Sequence, residues 1–126
     1  MVNNYFQLLL DLLSTSPVVR TSDITLDTRS EFIAFIRGNI YFTDDSLLHF
    51  RELVDVEFAI KRIAYAYHYQ KADGSLIFRY DNTPHFPQLP NAPHHKHAGD
   101  ETNVISANAP DLGVVLIEIE SIVPIE

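Results

Sequence analysis

Residues 63–81 carry the pattern that most restricts the fold of this chain. Large and small side chains alternate over residues 63–72, Asp73-Gly74 follows, and residues 75–81 return to an alternating pattern. Asp-Gly is a preferred dipeptide of the tight type I′ turn that joins two antiparallel strands. The segment is therefore predicted to be a β-hairpin with Asp73 and Gly74 as its two-residue turn.

This turn also predicts which residues face each other across the hairpin. The predicted pairs are Ala72 with Ser75, Tyr69 with Phe78, His68 with Arg79, and Tyr67 with Tyr80. One face is then aromatic, which is typical of a buried sheet face. The other face places His68, Arg79 and Asp81 side by side, and two interpretations stay open: an ion pair beside a satisfied histidine, or part of a polar site.

A second hairpin is predicted earlier in the chain. Residues 31–42 and 47–55 are strand-like runs that Thr43-Asp44-Asp45-Ser46 connects. A two-residue turn at Asp44-Asp45 would place Arg37 opposite Glu52 as a cross-strand ion pair. The simplest interpretation of Glu52 is therefore structural, and His49, within an apolar run, is interpreted in the same way.

Helical spacing of apolar residues appears near both ends of the sequence. Residues 4–14 follow this spacing, and Asn4 with Gln7 has the spacing of a capping box. A helix is also predicted after Pro110-Asp111, although the density of β-branched residues there leaves a strand open. Together with an edge strand over residues 18–27, these elements predict an α+β fold.

The predicted architecture is an antiparallel sheet of two hairpins plus an edge strand, with the two helices packed on it. About four to six strands are expected. The chain of 126 residues, 46% of them hydrophobic, is expected to form a single domain over residues 1–126. Its lack of cysteine removes disulfides and thiolate chemistry, and is compatible with a cytoplasmic location.

Residues 82–109 are predicted to be a long irregular loop rich in histidine. Four of the six histidines of the chain lie within residues 85–97, among several prolines. Histidine has an unperturbed pKa near neutrality, so it serves as a proton donor, a proton acceptor or a metal ligand. Loops of this length in small domains are usually functional or disordered, and this one is the predicted site of any chemistry.

Three motifs together resemble the TumE family of toxins from bacterial and archaeal toxin–antitoxin modules. They are Tyr-x-Tyr-His-Tyr at residues 65–69, Arg-Tyr-Asp-Asn at 79–82 and Pro-His-His-Lys-His at 93–97. The similarity extends to the N-terminal helix, to Gly38-x-Ile40-x-Phe42 and to the acidic, apolar C-terminus. This sequence departs from the family pattern at Asp45, where the first hairpin typically has glycine. The resemblance implies a small intracellular type II toxin that a neighbouring antitoxin holds inactive, and RNA cleavage as its activity.

RNA cleavage without a metal needs a base for the 2′-hydroxyl proton, an acid for the leaving 5′-oxygen and a cation for the phosphate. His95 and His97 would supply the base and the acid, and Lys96 or Arg79 would bind the phosphate. The full predicted catalytic set is Arg79, Tyr80, Asp81, His95, Lys96 and His97. The predicted substrate-binding residues are Tyr67, His68 and His94, and no cofactor is required.

Two alternatives from other classes remain open. The first is a metal-dependent nuclease or phosphodiesterase, with a divalent metal at Asp81, His85, His95 and His97, or with magnesium between Asp81 and Asp100. The second is a non-catalytic interaction module that uses its acidic surface.

The partners predicted for the catalytic interpretation are RNA and a neighbouring antitoxin protein. A net charge of −8 argues against bulk electrostatic binding of nucleic acid, so RNA would need a locally basic site. The apolar run at residues 6–13 contains Gln7 and Asp11 and is far shorter than a bilayer span, so no membrane association is expected. A homodimer is left open.

Overall fold

The computed structural model describes residues 1–84, 88–89 and 91–125. Within these residues the chain forms two helices and seven strands. The helices are α1 (Val2–Thr15) and α2 (Leu112–Glu120), and the strands are β1 (Val19–Thr28), β2 (Ile33–Phe42), β3 (Leu47–Asp55), β4 (Lys61–Gln70), β5 (Leu76–Asp81), β6 (His95–Ala98) and β7 (Val104–Ser106). The strands form one antiparallel sheet in chain order, β1 to β7. The α+β prediction is confirmed, and the sheet is larger than the predicted four to six strands.

The two additional strands, β6 and β7, lie within the segment that was predicted to be an irregular loop. β6 contains His95 and His97, which are buried, and Lys96 between them, which faces the other side of the sheet. A strand that is polar on both faces has no hydrophobic alternation, so the pattern that reveals most strands was missing here. The prediction of a continuous His-rich loop over residues 82–109 is therefore wrong.

The register of the β4–β5 hairpin is confirmed along its length and differs at its tip. Tyr67 pairs with Tyr80, and the next two predicted pairs also form. At the tip, the Lys71 amide donates to the carbonyl of Ser75 at 2.9 Å, so the turn has three residues and ends at Gly74, with φ +90°. The predicted pairing of Ala72 with Ser75 is wrong, because a three-residue turn with a left-handed last residue replaces the two-residue turn.

The β2–β3 hairpin has a register one residue away from the predicted one. The Phe42 amide donates to the Ser46 carbonyl at 3.0 Å, and Asp45 adopts φ +68°, again a three-residue turn. Arg37 therefore faces Arg51, not Glu52, and the predicted ion pair is wrong. A one-residue shift moves a side chain to the other face of the sheet, so Glu52 points into the core.

Both helices cover the same face of the sheet. Tyr5 of α1 donates a hydrogen bond to the buried carboxylate of Glu52, and Glu118 of α2 accepts one from Tyr80 at 2.6 Å. The aromatic face of the second hairpin packs here, as predicted, with Tyr67, Tyr69 and Phe78 almost fully buried. The opposite face, which we call the open face, carries no helix among the described residues.

The ends of the helices show which local signals were correct. Asp111 caps α2 as expected, and its carboxylate accepts from the Val114 amide at 2.9 Å. The predicted capping box at Asn4 and Gln7 is wrong, because α1 already begins at Val2 and Gln7 donates instead to Asp11. Neither described helix is long and apolar enough to cross a membrane.

Candidate functional site

Four polar residues of the predicted catalytic set come together on the open face, where β5 and β6 pair. In the antiparallel register, Asp81 faces His95 and Arg79 faces His97. Side chains alternate between faces along a strand, so residues 79 and 81, and likewise 95 and 97, point to the same side. The fold thus brings Arg79, Asp81, His95 and His97 together.

The carboxylate of Asp81 is the centre of this cluster. Its Oδ1 lies 2.9 Å from His95 Nε2 and accepts from the Thr83 amide at 3.0 Å. Its Oδ2 accepts from Arg79 Nε at 3.0 Å and lies 3.9 Å from His97 Nε2. One carboxylate therefore orients both imidazoles and the guanidinium.

The other ring nitrogen of each imidazole faces a backbone carbonyl. His95 Nδ1 lies 2.9 Å from the Pro93 carbonyl oxygen, and His97 Nδ1 lies 2.9 Å from that of Glu101. A carbonyl can only accept, so each Nδ1 carries a hydrogen and each Nε2 is directed at Asp81. The 2.9 Å separation of His95 Nε2 from Asp81 Oδ1 is a hydrogen-bond distance.

Asp81 is ionised in this environment although it is buried. Burial alone would raise the pKa of Asp81, but hydrogen bonds from the Thr83 amide and Arg79, with the charge of His95, hold it below its usual range. His95 is 2% exposed and His97 8%, whereas the Arg79 side chain is 28% exposed. Arg79 is thus the member of the cluster that is best placed to meet an anionic group from solvent.

His68, a predicted substrate-binding residue, lies next to the cluster on the open face. It pairs with Arg79 across β4 and β5. Burial, together with the nearby Arg79 charge, lowers the pKa of His68. At neutral pH this imidazole is therefore a neutral hydrogen-bonding group and not a cation.

Tyr80 and Lys96 face the helix side of the sheet, away from the two imidazoles. Lys96 Nζ lies 2.8 Å from Glu118 Oε2 and 4.9 Å from the centre of the Tyr80 ring. Burial acts to lower the pKa of Lys96, but the hydrogen bonds with Glu118 and Tyr80 outweigh it and raise the value. The sheet therefore separates these two members of the predicted catalytic set from Arg79, Asp81, His95 and His97.

The remaining predicted site residues are not part of the cluster either. Tyr67 is fully buried and donates a hydrogen bond to Glu52. His94 hydrogen bonds with Tyr65 at 2.7 Å, and their rings stack at 5.8 Å. Asp100 lies in the exposed turn after β6, where it accepts from the Thr102 amide at 2.7 Å. His85, a ligand of the metal alternative, lies outside the described residues.

The other three ligands of the metal alternative do converge. Asp81, His95 and His97 each offer one ligand atom, and these atoms lie within 4.8 Å of one another. Two imidazoles and a carboxylate form a set that suits zinc or another divalent transition metal. Carbonyl groups that accept from Nδ1 are also the usual outer partners of metal-binding histidines.

Sequence reasoning missed that further basic and imidazole side chains lie on the open face beyond this cluster. Arg37 and Arg51 face each other there, and His49 pairs with His68 in the neighbouring row. The length of the first turn sets which residue pairs with Arg37. With two residues in the turn Arg37 would face an acid, and with three it faces a second arginine.

A cleft of about 540 Å³ lies on the helix side, between α1, β4 and the start of α2. Its walls are mostly apolar, with Arg62 and Asp111 among the polar residues. None of the cluster residues lines it, so the polar chemistry and this cleft are on different sides of the sheet.

The protein-family model described as Toxin TumE matches residues 8–123, nearly the whole chain. No curated protein and no solved structure matches the chain.

Proposed function

Because the chain belongs to the TumE family of toxins, we propose that it is the toxin of a type II toxin–antitoxin module and that it acts by cleaving RNA. The observation that carries the proposal is the convergence of Arg79, Asp81, His95 and His97 on the open face. The set combines two proton-transfer groups, one cation and one carboxylate that orients them. The proposal treats residues 1–126 as one toxin domain, and an RNA substrate would place its action in the cytoplasm.

The proposed reaction is attack of a ribose 2′-oxygen on the adjacent phosphorus. His97 Nε2, at 3.9 Å from the carboxylate, takes the 2′-hydroxyl proton. The bond between phosphorus and the 5′-oxygen breaks, and His95 Nε2, which faces Asp81 at 2.9 Å, supplies the proton to the leaving oxygen. Arg79 stabilises the charge on the phosphate. The products are a 2′,3′-cyclic phosphate and a 5′-hydroxyl.

The test compares His95→Gln, His97→Gln and Arg79→Gln with the parent, by growth after induction and by the integrity of cellular RNA. Loss of one acid–base group costs about 10²–10⁴-fold in rate, so each variant should relieve toxicity. His94→Gln is the matched control, because this neighbouring imidazole lies on the other side of the sheet. Thermal unfolding of each purified variant shows whether it is folded.

If all three variants are folded and remain as toxic as the parent, the assignment of these residues to the catalytic site is wrong. If the variants lose toxicity but the parent cleaves no RNA, the residues serve another activity and the ribonuclease assignment is wrong. If partner binding is lost together with toxicity while no RNA is cleaved, the chain acts as a non-catalytic interaction module.

A second candidate function is metal-dependent hydrolysis of a phosphodiester. The observation that favours it is the close approach of one ligand atom from each of Asp81, His95 and His97. A bound divalent metal would supply an activated water as nucleophile. Cleavage would then stop on chelation, return with added metal, and continue on RNA whose 2′-hydroxyls are methylated. The acid–base reaction requires a free 2′-hydroxyl and is unaffected by chelators, so the two functions are distinguished by one set of assays.

The proposal also includes a neighbouring antitoxin that binds the toxin and covers the segment around β5 and β6.

A further inference from the structure

The open face carries a group of arginine and histidine side chains that extends from the candidate site across four strands. It contains Arg37 on β2, Arg51 and His49 on β3, His68 on β4 and Arg79 on β5. The chain as a whole has 17 acidic residues against 9 basic ones. Acidic residues share this face through the same register, so the arginines form a local basic patch and not a wholly basic face; the acids are Asp23 and Asp27 of β1, Asp55 of β3 and Asp81 of β5.

The strand register aligns these side chains in two neighbouring rows. In the first row Arg37 faces Arg51, Arg51 faces Ala66, Ala66 faces Asp81 and Asp81 faces His95. Adjacent strands are about 4.8 Å apart, so this row spans about 19 Å from Arg37 to His95.

The second row begins at His49 and leads directly to the candidate site. His49 faces His68, His68 faces Arg79 and Arg79 faces His97. It lies two residues, about 7 Å, from the first row along each strand. Ala66 is the small residue between Arg51 and Asp81, so no bulky side chain interrupts the face there.

The pairing of Arg37 with Arg51 has no evident benefit for folding. Two like charges directly opposite each other in a sheet destabilise it. Both side chains are exposed, and neither forms an ion pair with any other described residue. Arg37 lies 6.0 Å from the centre of the Phe35 ring, which restricts its orientation. An anion bound between the two guanidinium groups would remove their repulsion.

We propose that a single strand of RNA lies across the open face, with its phosphates on Arg79, Arg51 and Arg37. The inference rests on the proposed ribonuclease function and adds the surface that would hold the substrate. A ligand with several phosphate groups fits this surface better than a ligand with one, because the arginines are spread over several strands. His49 and His68 in the neighbouring row offer ring nitrogens to the bases or to the riboses.

The experiment measures binding separately from cleavage. The probe is a fluorescent single-stranded RNA of about ten nucleotides, within the site sizes of small single-strand-binding domains. All of its 2′-hydroxyls are methylated, so attack by a 2′-oxygen cannot occur. Fluorescence anisotropy gives its affinity for the full chain at several salt concentrations.

The variant is the double substitution Arg37→Gln and Arg51→Gln. We expect about tenfold weaker binding, and a salt dependence whose slope falls by about 1.4 because two phosphate contacts are lost. The matched control is Arg20→Gln with Arg29→Gln, which removes the same charge from residues that are paired with Asp45 and Asp27. The control should change the affinity less than twofold.

Equal effects of the two double substitutions would overturn the inference, as would a parent that does not bind the probe at low salt. An oligoglutamate of equal charge that binds the parent as tightly as RNA, with the same loss in the variant, would also overturn it and assign the face to an acidic protein segment. A parent that binds the probe but does not cleave unmodified RNA would support the inference and contradict the proposed function. The two proposals can therefore fail independently.

Discussion

Glu52 illustrates at the scale of one residue how the environment sets the state of a carboxyl group. It is fully buried on the helix side and accepts hydrogen bonds from Tyr5 and Tyr67. Burial raises the pKa of Glu52, although both tyrosine hydroxyls and the charge of Arg62 act to lower it. The sequence alone suggested a surface ion pair with Arg37, which would have had the opposite effect on this carboxyl.

The raised pKa predicts how Glu52→Gln changes the dependence of stability on pH. Folding takes up a proton at Glu52 between its unfolded and folded pKa values, so the parent loses stability as the pH rises through this window. Glutamine does not titrate, so the stability of the variant relative to the parent should rise as the pH rises above the unfolded pKa of glutamate, about 4.3, towards the raised folded pKa of Glu52. The measurement is denaturant unfolding of both proteins at each pH, with the exposed Glu57→Gln as control. A difference between variant and parent that stays constant with pH would contradict the prediction.

Lys96 is the residue for which the sequence motif and the geometry lead to different expectations. The motif places it between two catalytic histidines, whereas the fold directs it to Glu118 of α2 at 2.8 Å. If this contact is its main role, Lys96→Met should lower the free energy of unfolding by about 1 kcal/mol and leave RNA cleavage within a fewfold of the parent. Arg79→Gln should show the reverse pattern, with large loss of cleavage. A Lys96→Met protein of normal stability that no longer cleaves RNA would instead place Lys96 in the catalytic set.

At the scale of whole elements, the sequence predicted which segments form strands and helices better than it predicted which residues pair across the sheet. Asp73-Gly74 correctly marked a hairpin, and the pairs from Tyr67 to Tyr69 were correct because a bulge near the tip compensates for the longer turn. The first hairpin has Asp45 where the resembling family typically has glycine, and Asp45 adopts the left-handed conformation that glycine takes most easily. That signal was not used to set the length of the turn, so the register was predicted one residue away. The open face was therefore predicted only at its β5 end, and its arginine pair was missed.

Gly38 gives a prediction about how β1 and β2 approach each other. A Cβ at this position would lie 2.3 Å from the Asp23 carbonyl oxygen and 2.6 Å from Ile24 Cδ1. Gly38→Ala must therefore separate the two strands, and we expect it to cost about 1–3 kcal/mol of stability. Gly113→Ala in α2 is the control, since its Cβ meets nothing closer than 3.4 Å, and it should stabilise the protein by about 0.5 kcal/mol. Thermal unfolding of the two variants checks this, and equal melting temperatures would contradict it.

At the scale of the whole molecule, the sheet separates two surfaces of different character. The open face carries the arginines and the imidazole cluster, while the helix side carries the apolar cleft next to Arg62 and Asp111. Exposed apolar side chains such as Leu8, Leu12 and Ile117 also lie on the helices. The proposed RNA substrate and the proposed antitoxin need not share a surface, so the surface that the antitoxin covers would determine how it acts on the toxin.

We predict that the antitoxin neutralises the toxin by covering the region of β5 and β6, and therefore that it competes with RNA. Amide hydrogen exchange of the purified complex should then show protection over residues 76–81 and 95–106 relative to the toxin alone. The complex should also fail to bind the methylated RNA probe. His95→Gln and His97→Gln remove the proposed proton transfer but leave most of the surface intact, so both variants should still bind the antitoxin within about tenfold of the parent. Protection confined to α1, α2 and the cleft between them, with RNA still bound by the complex, would show that the antitoxin acts from the helix side and would contradict this prediction.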